Sequence, residues 1–376
     1  MSYSIFSQTV MHYTNELFYY YKIIQHEFFD NLIILLEVTM KLSLISKLSL
    51  VALGICSYSS YAHEYYRIEG SHEVIIPIKS AQIEINGSFD LDRLSGIKRI
   101  QLMTLIPTEA FKEKNRSAVA KMEADGGELD YTKGIKPFTN SATSVDLGMG
   151  KVPVLDQGAY GTCVTFASTA ALDAKLKLGD YIDQQCSLAL NKFLGNDYWN
   201  GAYTAVEILQ PLKEHGIIPK GQCFGSTYPK KSQKVPTNKY EAKSDKSYTG
   251  QISYHYTEKA DLNVVKETIK AGYRVAIGTA LADTPDPISV NGFDVKVQGS
   301  SKSYDGGLWA CKQPGNSSNY CADQNAGHEV IIVGYDDKQQ LLKIRNSWGT
   351  TAGHEGDFYM TYAFFNAMVA DHTELK

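Results

Sequence analysis

Three short segments, far apart in the chain, place the strictest demand on its fold. Residues 157–166 read Gln-Gly-Ala-Tyr-Gly-Thr-Cys-Val-Thr-Phe and lead into an alanine-rich run. Residues 327–335 read Gly-His-Glu-Val-Ile-Ile-Val-Gly-Tyr, and residues 345–349 read Arg-Asn-Ser-Trp-Gly. Each segment joins a chemically capable side chain to a pattern of regular structure. A fold that brings them together needs both a buried helix and a buried sheet.

The first segment predicts a helix that begins at Cys163. Phe166, Ala170 and Leu172 are spaced for one buried face, and a Gly-Thr pair precedes the run as a start signal. Cys163 should therefore lie in the first turn, where free backbone N–H groups and the helix dipole stabilise a thiolate. The apolar run after His328 predicts a short buried strand.

Four side chains in the order Gln157, Cys163, His328 and Asn346 are suited to nucleophilic acyl transfer. A thiol is mostly protonated at neutral pH, so Cys163 needs a base, and an imidazole can form a thiolate–imidazolium pair with it. Asn346 would hold the other ring nitrogen of His328. Gln157 and the Cys163 backbone N–H would stabilise a developing oxyanion.

Each of these residues also has a plainer explanation when it is taken alone. Cys163 could be a buried structural thiol, and His328 could be a core histidine with satisfied hydrogen bonds. The offset of Gln157 and the contexts of the other three favour catalysis over these explanations.

With those residues identified, residues 143–376 resemble a papain-like cysteine peptidase of the C1 family. The Trp-Asn-Gly-Ala-Tyr segment at 199–203 is similar to the family segment that lines the substrate cleft. The resemblance implies an α+β fold with two lobes, one helical and one a barrel-like antiparallel sheet. It also implies a Cys163, His328 and Asn346 triad, a Gln157 oxyanion donor, and a cleft that binds an extended peptide. The substrate-binding residues that it implies are Gly201, Ala202, Gly327 and Trp348.

Several positions depart from the family pattern, which suggests a divergent member of bacterial type. Tyr160 stands where the family usually has cysteine, Val164 where it has tryptophan, and Ala202 where it has glycine. These changes leave two alternatives open. One is a thiol amidase or deconjugating enzyme of narrow specificity, and the other is a catalytically silent relative that only binds peptides.

Composition excludes several other classes of function. The chain has 376 residues, of which 21% are charged, and its formal net charge is −4, so it offers no case for binding nucleic acid or an anionic membrane. Neither a phosphate-binding glycine loop nor a Cys-x-x-Cys metal motif occurs, so we expect no cofactor and no metal. We expect a monomer whose partners are a peptide or protein substrate and its own N-terminal region.

The N-terminal sequence predicts export. Met40 opens a short basic stretch, an apolar run follows at 48–55, and Ser-Tyr-Ala precedes His63, which together are typical of a signal peptide over residues 40–62. We interpret residues 1–39 as a mis-assigned segment upstream of the real translation start. The alternative is a genuine cytoplasmic N-terminal segment. The protein should be secreted, to the periplasm or outside the cell.

Export also bears on the cysteines. If Cys163 stays free, four remain for disulfides in an oxidising compartment, namely Cys186, Cys223, Cys311 and Cys321. Four cysteines allow three pairings, which the sequence does not distinguish. We favour Cys186 with Cys223 and Cys311 with Cys321.

Residues 63–142 form a propeptide or accessory region ahead of the catalytic domain at 143–376. Alternating apolar residues predict strands at 73–85 and 97–106, with an Asn86-Gly87 turn between them. A helix should run from 109 to about 124, followed by a polar linker at 132–144. We hypothesise that this hairpin and helix block the cleft and keep the enzyme inactive. The alternative is a permanent domain that captures substrate.

Overall fold

The computed structural model describes residues 63–79, 96–223, 231–282, 292–298, 303–312, 321 and 325–376. The predicted signal peptide, the segment upstream of Met40 and the Asn86-Gly87 turn lie outside these residues. Within the part of the chain that is described, no helix is both long and apolar enough to cross a membrane.

The region before the catalytic domain is a hairpin followed by a helix, as the sequence predicts. Strand β1 (Tyr66–Pro77) pairs antiparallel with β2 (Ile97–Pro107), and helix α1 (Glu109–Ala124) follows. Strand β1 begins seven residues before the predicted start at 73. Its first half is mostly polar, and its register shifts between Ile68 and Ser71, so this half shows no regular alternation of apolar residues.

Helix α1 is capped and then docked by its own residues. The Thr108 hydroxyl accepts a hydrogen bond from the Phe111 backbone N–H at 3.3 Å, which satisfies one free donor of the first turn. On the buried face, Asn115 Nδ2 donates to the Ala367 carbonyl at 3.3 Å. The helix is therefore tied to the C-terminal part of the catalytic domain.

The first half of the catalytic domain is helical. Its helices are α2 (Cys163–Leu176), α3 (Gln184–Phe193), α4 (Val206–His215) and α5 (Thr237–Glu241). Helix α2 is buried along its first twelve residues, because it lies between the other helices and the sheet.

The second half is built on a sheet, which confirms the predicted two-lobed α+β fold. Its strands and helices are β3 (Ser144–Asp146), β4 (His255–Thr257), α6 (Leu262–Lys270), β5 (Val275–Leu281), β6 (Phe293–Lys296), β7 (Ser303–Trp309), β8 (Ala326–Asp336), β9 (Leu341–Arg345), β10 (Asp357–Thr361), α7 (Tyr362–Met368) and β11 (Val369–Glu374). The order is β4-β11-β5-β8-β9-β10-β7-β6, and among these described strands only β10 and β7 pair in parallel.

Strand β8 is the centre of the sheet, and all eleven of its residues are buried. It pairs with β5 and β9, and β3 pairs with its end. At its start it pairs with β2, where Met103 lies opposite Gly327 and Thr104 opposite Ala326. The N-terminal hairpin thus extends the sheet of the catalytic domain.

The polar linker predicted at 132–144 is held to the sheet rather than free in solvent. Ile135 is fully buried and packs with Val295, Val297 and Leu308. Its backbone forms a bridge with Val297. Phe138 of the same stretch also packs against this cluster, so two apolar side chains anchor the linker to partners that are distant in the sequence.

Two disulfides join the chain, in the pairing that we favour from the sequence. Cys186 is bonded to Cys223 with a Cα–Cα distance of 6.1 Å, and Cys311 to Cys321 with a distance of 4.9 Å. The first closes a loop in the helical half, and the second lies shortly before β8. Cys163 is the free cysteine of the described residues, and it is buried.

We expect loss of the longer bridge to cost more stability than loss of the shorter one. The bridges span 37 and 10 residues, and chain entropy then predicts losses of about 4 and about 3 kcal/mol of unfolding free energy for paired Cys→Ser variants. Denaturant unfolding without reductant measures both. A larger loss for the Cys311→Ser, Cys321→Ser pair would contradict the entropic account.

Candidate active site

Cys163 is the first residue of helix α2 and is completely shielded from solvent. Burial raises the pKa of its thiol to about 12, from a usual 9.0, although the backbone N–H groups of Glu329, Val164 and Cys163 itself act to lower it. The Glu329 N–H belongs to the residue that follows His328 in β8. The start of α2 and the start of β8 are therefore brought against each other at the thiol.

His328 is the third residue of β8 and is 1% exposed. Its Nε2 lies 2.8 Å from Oδ1 of Asn346, and this oxygen also accepts from the Ser347 backbone N–H at 2.7 Å. Because an amide oxygen only accepts, Nε2 carries the ring proton and Nδ1 is left as the basic nitrogen. Among the described residues, Nδ1 has no hydrogen-bond partner.

Trp348 covers the pair of His328 and Asn346. Its ring stacks on the imidazole with centroids 4.6 Å apart and planes 24° apart, and Trp348 is 2% exposed. Trp309 meets the imidazole from another side, with centroids 6.2 Å apart. Water is excluded from the hydrogen bond to Asn346, which strengthens it.

Gln157 is held at both ends of its side-chain amide. Its Oε1 accepts from the Ser347 hydroxyl at 2.8 Å, and its Nε2 donates to the Tyr160 carbonyl at 2.9 Å. One N–H of Nε2 remains for another acceptor. Ser347 links Gln157 to Asn346, a role that we did not predict, although its place in the Asn-Ser-Trp-Gly motif was a signal for it.

The ionisation of the site differs from the ion pair that the chemistry leads one to expect. Burial lowers the pKa of His328 to about 4, against a smaller opposing effect of the Asn346 hydrogen bond. With the pKa of Cys163 raised, both groups are neutral near pH 7. Removal from water disfavours two separate charges more than the helix N-terminus favours the thiolate.

Strand β2 lies across the site and accounts for its burial. A Cβ on Gly201 would lie 2.6 Å from Met103 Cγ, and a Cβ on Gly327 would lie 2.8 Å from Leu105 Cδ2. Met103 thus passes between two of the glycines proposed to bind substrate, one from each lobe. Ala202, another of the four residues proposed to bind substrate, is 1% exposed. The sequence predicted β2 as a strand but not these contacts.

Further contacts hold β2 along the whole cleft. Its Gln101 backbone N–H donates to the Ala159 carbonyl at 3.2 Å, and Leu105 N–H donates to the Asn325 carbonyl at 2.8 Å. Near the start of the strand, Lys98 Nζ donates to the Trp348 carbonyl at 3.0 Å. The strand therefore runs extended from Trp348 to Asn325, past the thiol and the imidazole.

Comparison with known proteins is consistent with this arrangement. Residues 142–372, more than half of the chain, match the model of the papain family of cysteine proteases. The chain belongs to that family. Its members are hydrolases that act on peptide bonds, and the papain-family domain here holds all four residues of the candidate site.

Individual relatives are distant. Cysteine proteinase 1 of Entamoeba histolytica is 29% identical over 259 residues, which cover 66% of this chain and 72% of that protein. Pro-cathepsin H of Mus musculus is 26% identical over 61% of this chain and 62% of its own length. Xylellain, a cysteine protease from Xylella fastidiosa, is a similar solved structure with 18% identity and a TM-score of 0.45, covering 66% of this chain and 93% of its own.

No group of three or more histidine, cysteine, aspartate or glutamate side chains in the described part of the chain could hold a metal ion.

We expect the reactivity of the Cys163 thiol to depend on whether the N-terminal region covers it. In the chain from His63 onward, alkylation at pH 7 should be far slower than for an ordinary cysteine, and the rate should rise with pH towards the raised pKa of about 12. Proteolytic removal of the N-terminal region should move that profile to lower pH, because water then reaches the thiol. Mass spectrometry of the Cys163 peptide measures the rates, and an unchanged profile after removal would contradict the expectation.

Proposed function

We propose that this protein is the precursor of an exported cysteine peptidase in which Cys163 is the nucleophile and His328 is the general base. The observation that carries the proposal is the hydrogen bond of 2.8 Å between His328 and Asn346, which leaves Nδ1 basic and unpartnered. The neighbouring Glu329 N–H acts directly on the Cys163 thiol. A nucleophile, a base and a group that orients the base are thus present together.

In the acylation step, His328 Nδ1 takes the thiol proton and the Cys163 sulfur attacks the scissile carbonyl carbon. The new C–S bond leaves a negative oxygen, which the free N–H of Gln157 and the Cys163 backbone N–H stabilise. When the C–N bond breaks, His328 returns its proton to the leaving amine. Asn346 holds the ring plane and tautomer throughout.

In the deacylation step, His328 removes a proton from water, and the hydroxide attacks the thioester carbon. The C–S bond breaks, the acid product leaves, and the proton returns to the sulfur. Trp348 keeps bulk water from the bond between His328 and Asn346 during both steps, since it covers the imidazole face.

Two measurements test the chemistry. An epoxide that alkylates active-site thiols should label the processed enzyme, and Cys163→Ala should abolish the labelling. A peptide-library digest then separates a broad peptidase from an amidase of narrow specificity. Labelling that persists in Cys163→Ala would remove the proposed nucleophile.

Gln157→Ala should lower kcat by about 10²–10³-fold in the processed enzyme, the usual cost of one oxyanion donor. The exposed Gln251→Ala serves as the matched control and should leave kcat unchanged. Active-site titration with the epoxide corrects for misfolded enzyme. A fall in kcat below about threefold would exclude Gln157 from the oxyanion hole.

We further infer that residues 63–142 keep the enzyme inactive until they are removed. Strand β2 fills the cleft between Gly201 and Gly327, and Cys163 is 0% and His328 1% exposed beneath it. A domain that captured substrate would leave the nucleophile accessible. The name of the mouse relative, Pro-cathepsin H, fits a precursor form.

Export is part of the same proposal. The basic stretch, apolar run and Ser-Tyr-Ala sequence within residues 40–62 support a signal peptide that is cleaved before His63. The two disulfides fit an oxidising compartment. N-terminal sequencing of the exported protein should find His63 first, and an uncleaved N-terminus at Met1 or Met40 would contradict it.

Met103→Asp should raise the peptidase activity of the unprocessed chain. Met103 is 5% exposed and lies between two glycines of the cleft, so a carboxylate there is buried without a partner and weakens docking of β2. Ile106→Asp is the control, because Ile106 is on the same strand but is 39% exposed. We expect at least about a tenfold rise for the first variant, since a buried unpaired polar group costs more than the 1.4 kcal/mol that corresponds to tenfold. If the unprocessed Met103→Asp and Ile106→Asp variants have the same activity as the unprocessed wild-type chain, β2 does not block the active site.

A further inference from the structure

Beside His328 the sheet carries a notch between two carboxylates. Gly278 of β5 lies in register with Glu329 of β8 on one side and with Asp371 of β11 on the other. Residues opposite each other on neighbouring strands point to the same face of the sheet. Gly278 has no side chain, and a Cβ there would lie 2.5 Å from Asp371 Oδ2. The absence of a side chain at Gly278 therefore leaves room for the Asp371 carboxyl group, which lies over the middle of this row on the side of Glu329.

The notch opens into a small cavity at the candidate active site. The catalytic domain contributes Gly278, His328 and Glu329 to its lining, and the N-terminal region contributes Tyr66, Met103 and Leu105. Its remaining volume is about 10 Å³, room for one water at most. The N-terminal region thus fills a pocket that its departure would open.

Two side chains of that region are directed at Asp371. The Tyr66 hydroxyl donates to Asp371 Oδ2 at 2.9 Å, and the His63 ring stacks on Tyr66 with centroids 4.2 Å apart. His63 Nδ1 accepts from the Tyr65 N–H at 3.1 Å, so its Nε2 carries the proton. That Nε2 lies 3.5 Å from the same carboxylate oxygen. His63 is 5% exposed, and Nε2 has no hydrogen-bond partner among the described residues.

Neither carboxylate has a permanent cation. Glu329 and Asp371 are each 2% exposed, and Glu329 accepts from the Ser168 hydroxyl at 3.3 Å. No lysine or arginine within the described ranges forms an ion pair with either group. Burial raises the pKa of Asp371 to about 7 and that of Glu329 well above its usual range. Glu329 lines the cavity, and Asp371 lies directly behind two residues that line it, Tyr66 and Gly278. A positive ligand in the place of Tyr66 would stabilise the charged forms of both carboxyl groups.

We propose that, after the N-terminal region has left, this notch binds the cationic side chain of a lysine or arginine in the substrate, with Glu329 and Asp371 as the residues that determine specificity. The proposal rests on the peptidase function proposed above. Tyr66 and His63 occupy the site as neutral substitutes for that cation. A tyrosine in the substrate would satisfy Asp371 alone, as Tyr66 does, and would leave Glu329 with only the Ser168 hydroxyl as its partner.

The test uses the folded chain from His63 onward, processed by limited proteolysis, and matched fluorogenic peptides. Arginine, citrulline, tyrosine or leucine is placed in turn at each of the three positions before the cleaved bond. Citrulline keeps the shape of arginine without its charge. At one position we expect kcat/KM for arginine to exceed that for citrulline at least about tenfold, the size of one charge-assisted hydrogen bond.

Two single variants test the assignment to these carboxylates. Glu329→Gln and Asp371→Asn should each lower the arginine-to-citrulline ratio several-fold. Glu267→Gln, an exposed carboxylate on α6, should leave the ratio unchanged. Thermal unfolding is checked for all three. If one pocket variant does not fold, the wild-type ratio and the other variant decide.

Three results would overturn the proposal: equal rates for arginine and citrulline at all positions, a preference for tyrosine over arginine, or an arginine preference that survives in the pocket variants. If the proposed peptidase function itself is wrong, the experiment gives a different result. In that case no peptide is cleaved and the epoxide does not label Cys163, which rejects the function and this pocket with it.

Discussion

Burial of strand β8 along its entire length is the constraint on which the rest of the structure depends. Backbone N–H and C=O groups that are removed from water need partners, and β5, β9 and β3 supply them for most of the strand. At its first residues the partner is β2. Residues 326 and 327 directly precede His328, so the strand that pairs with them lies next to the candidate base. An extended peptide has the same backbone pairing groups as β2, and under the proposed function it takes the place of β2 on this edge.

Burial also determines the protonation states of the ionisable groups at the site. The helix N-terminus and nearby N–H groups act to lower the pKa of Cys163, but desolvation is the larger effect and keeps the thiol neutral. The imidazole of His328 is neutral for the same reason. Under the proposed precursor function, β2 therefore opposes catalysis in two ways, by occupying the cleft and by suppressing the ion pair. Burial also raises the pKa of Asp371 and of Glu329, although the hydrogen bond from Tyr66 acts to lower that of Asp371.

Prediction from the sequence succeeded where the signal is local. The helix that begins at Cys163 and the strand that holds His328 were both predicted, because a start signal and an apolar run suffice to define them. The hairpin and α1 were predicted for similar reasons. The early start of β1 was missed because its first half is polar and interrupted by a register shift. The anchoring of the linker at Ile135 was missed because its partners lie more than 150 residues away.

The amino-acid sequence by itself determined the chemical groups, their order and the local elements that carry them, since these depend on neighbouring residues and on spacing along the chain. Only the tertiary structure decided that Met103 lies between Gly201 and Gly327, and that Asp371, Gly278 and Glu329 share one row of the sheet. Strand register joins residues that are distant in the chain, and a shift of one residue would turn these side chains to the other face. No short window of sequence contains that information.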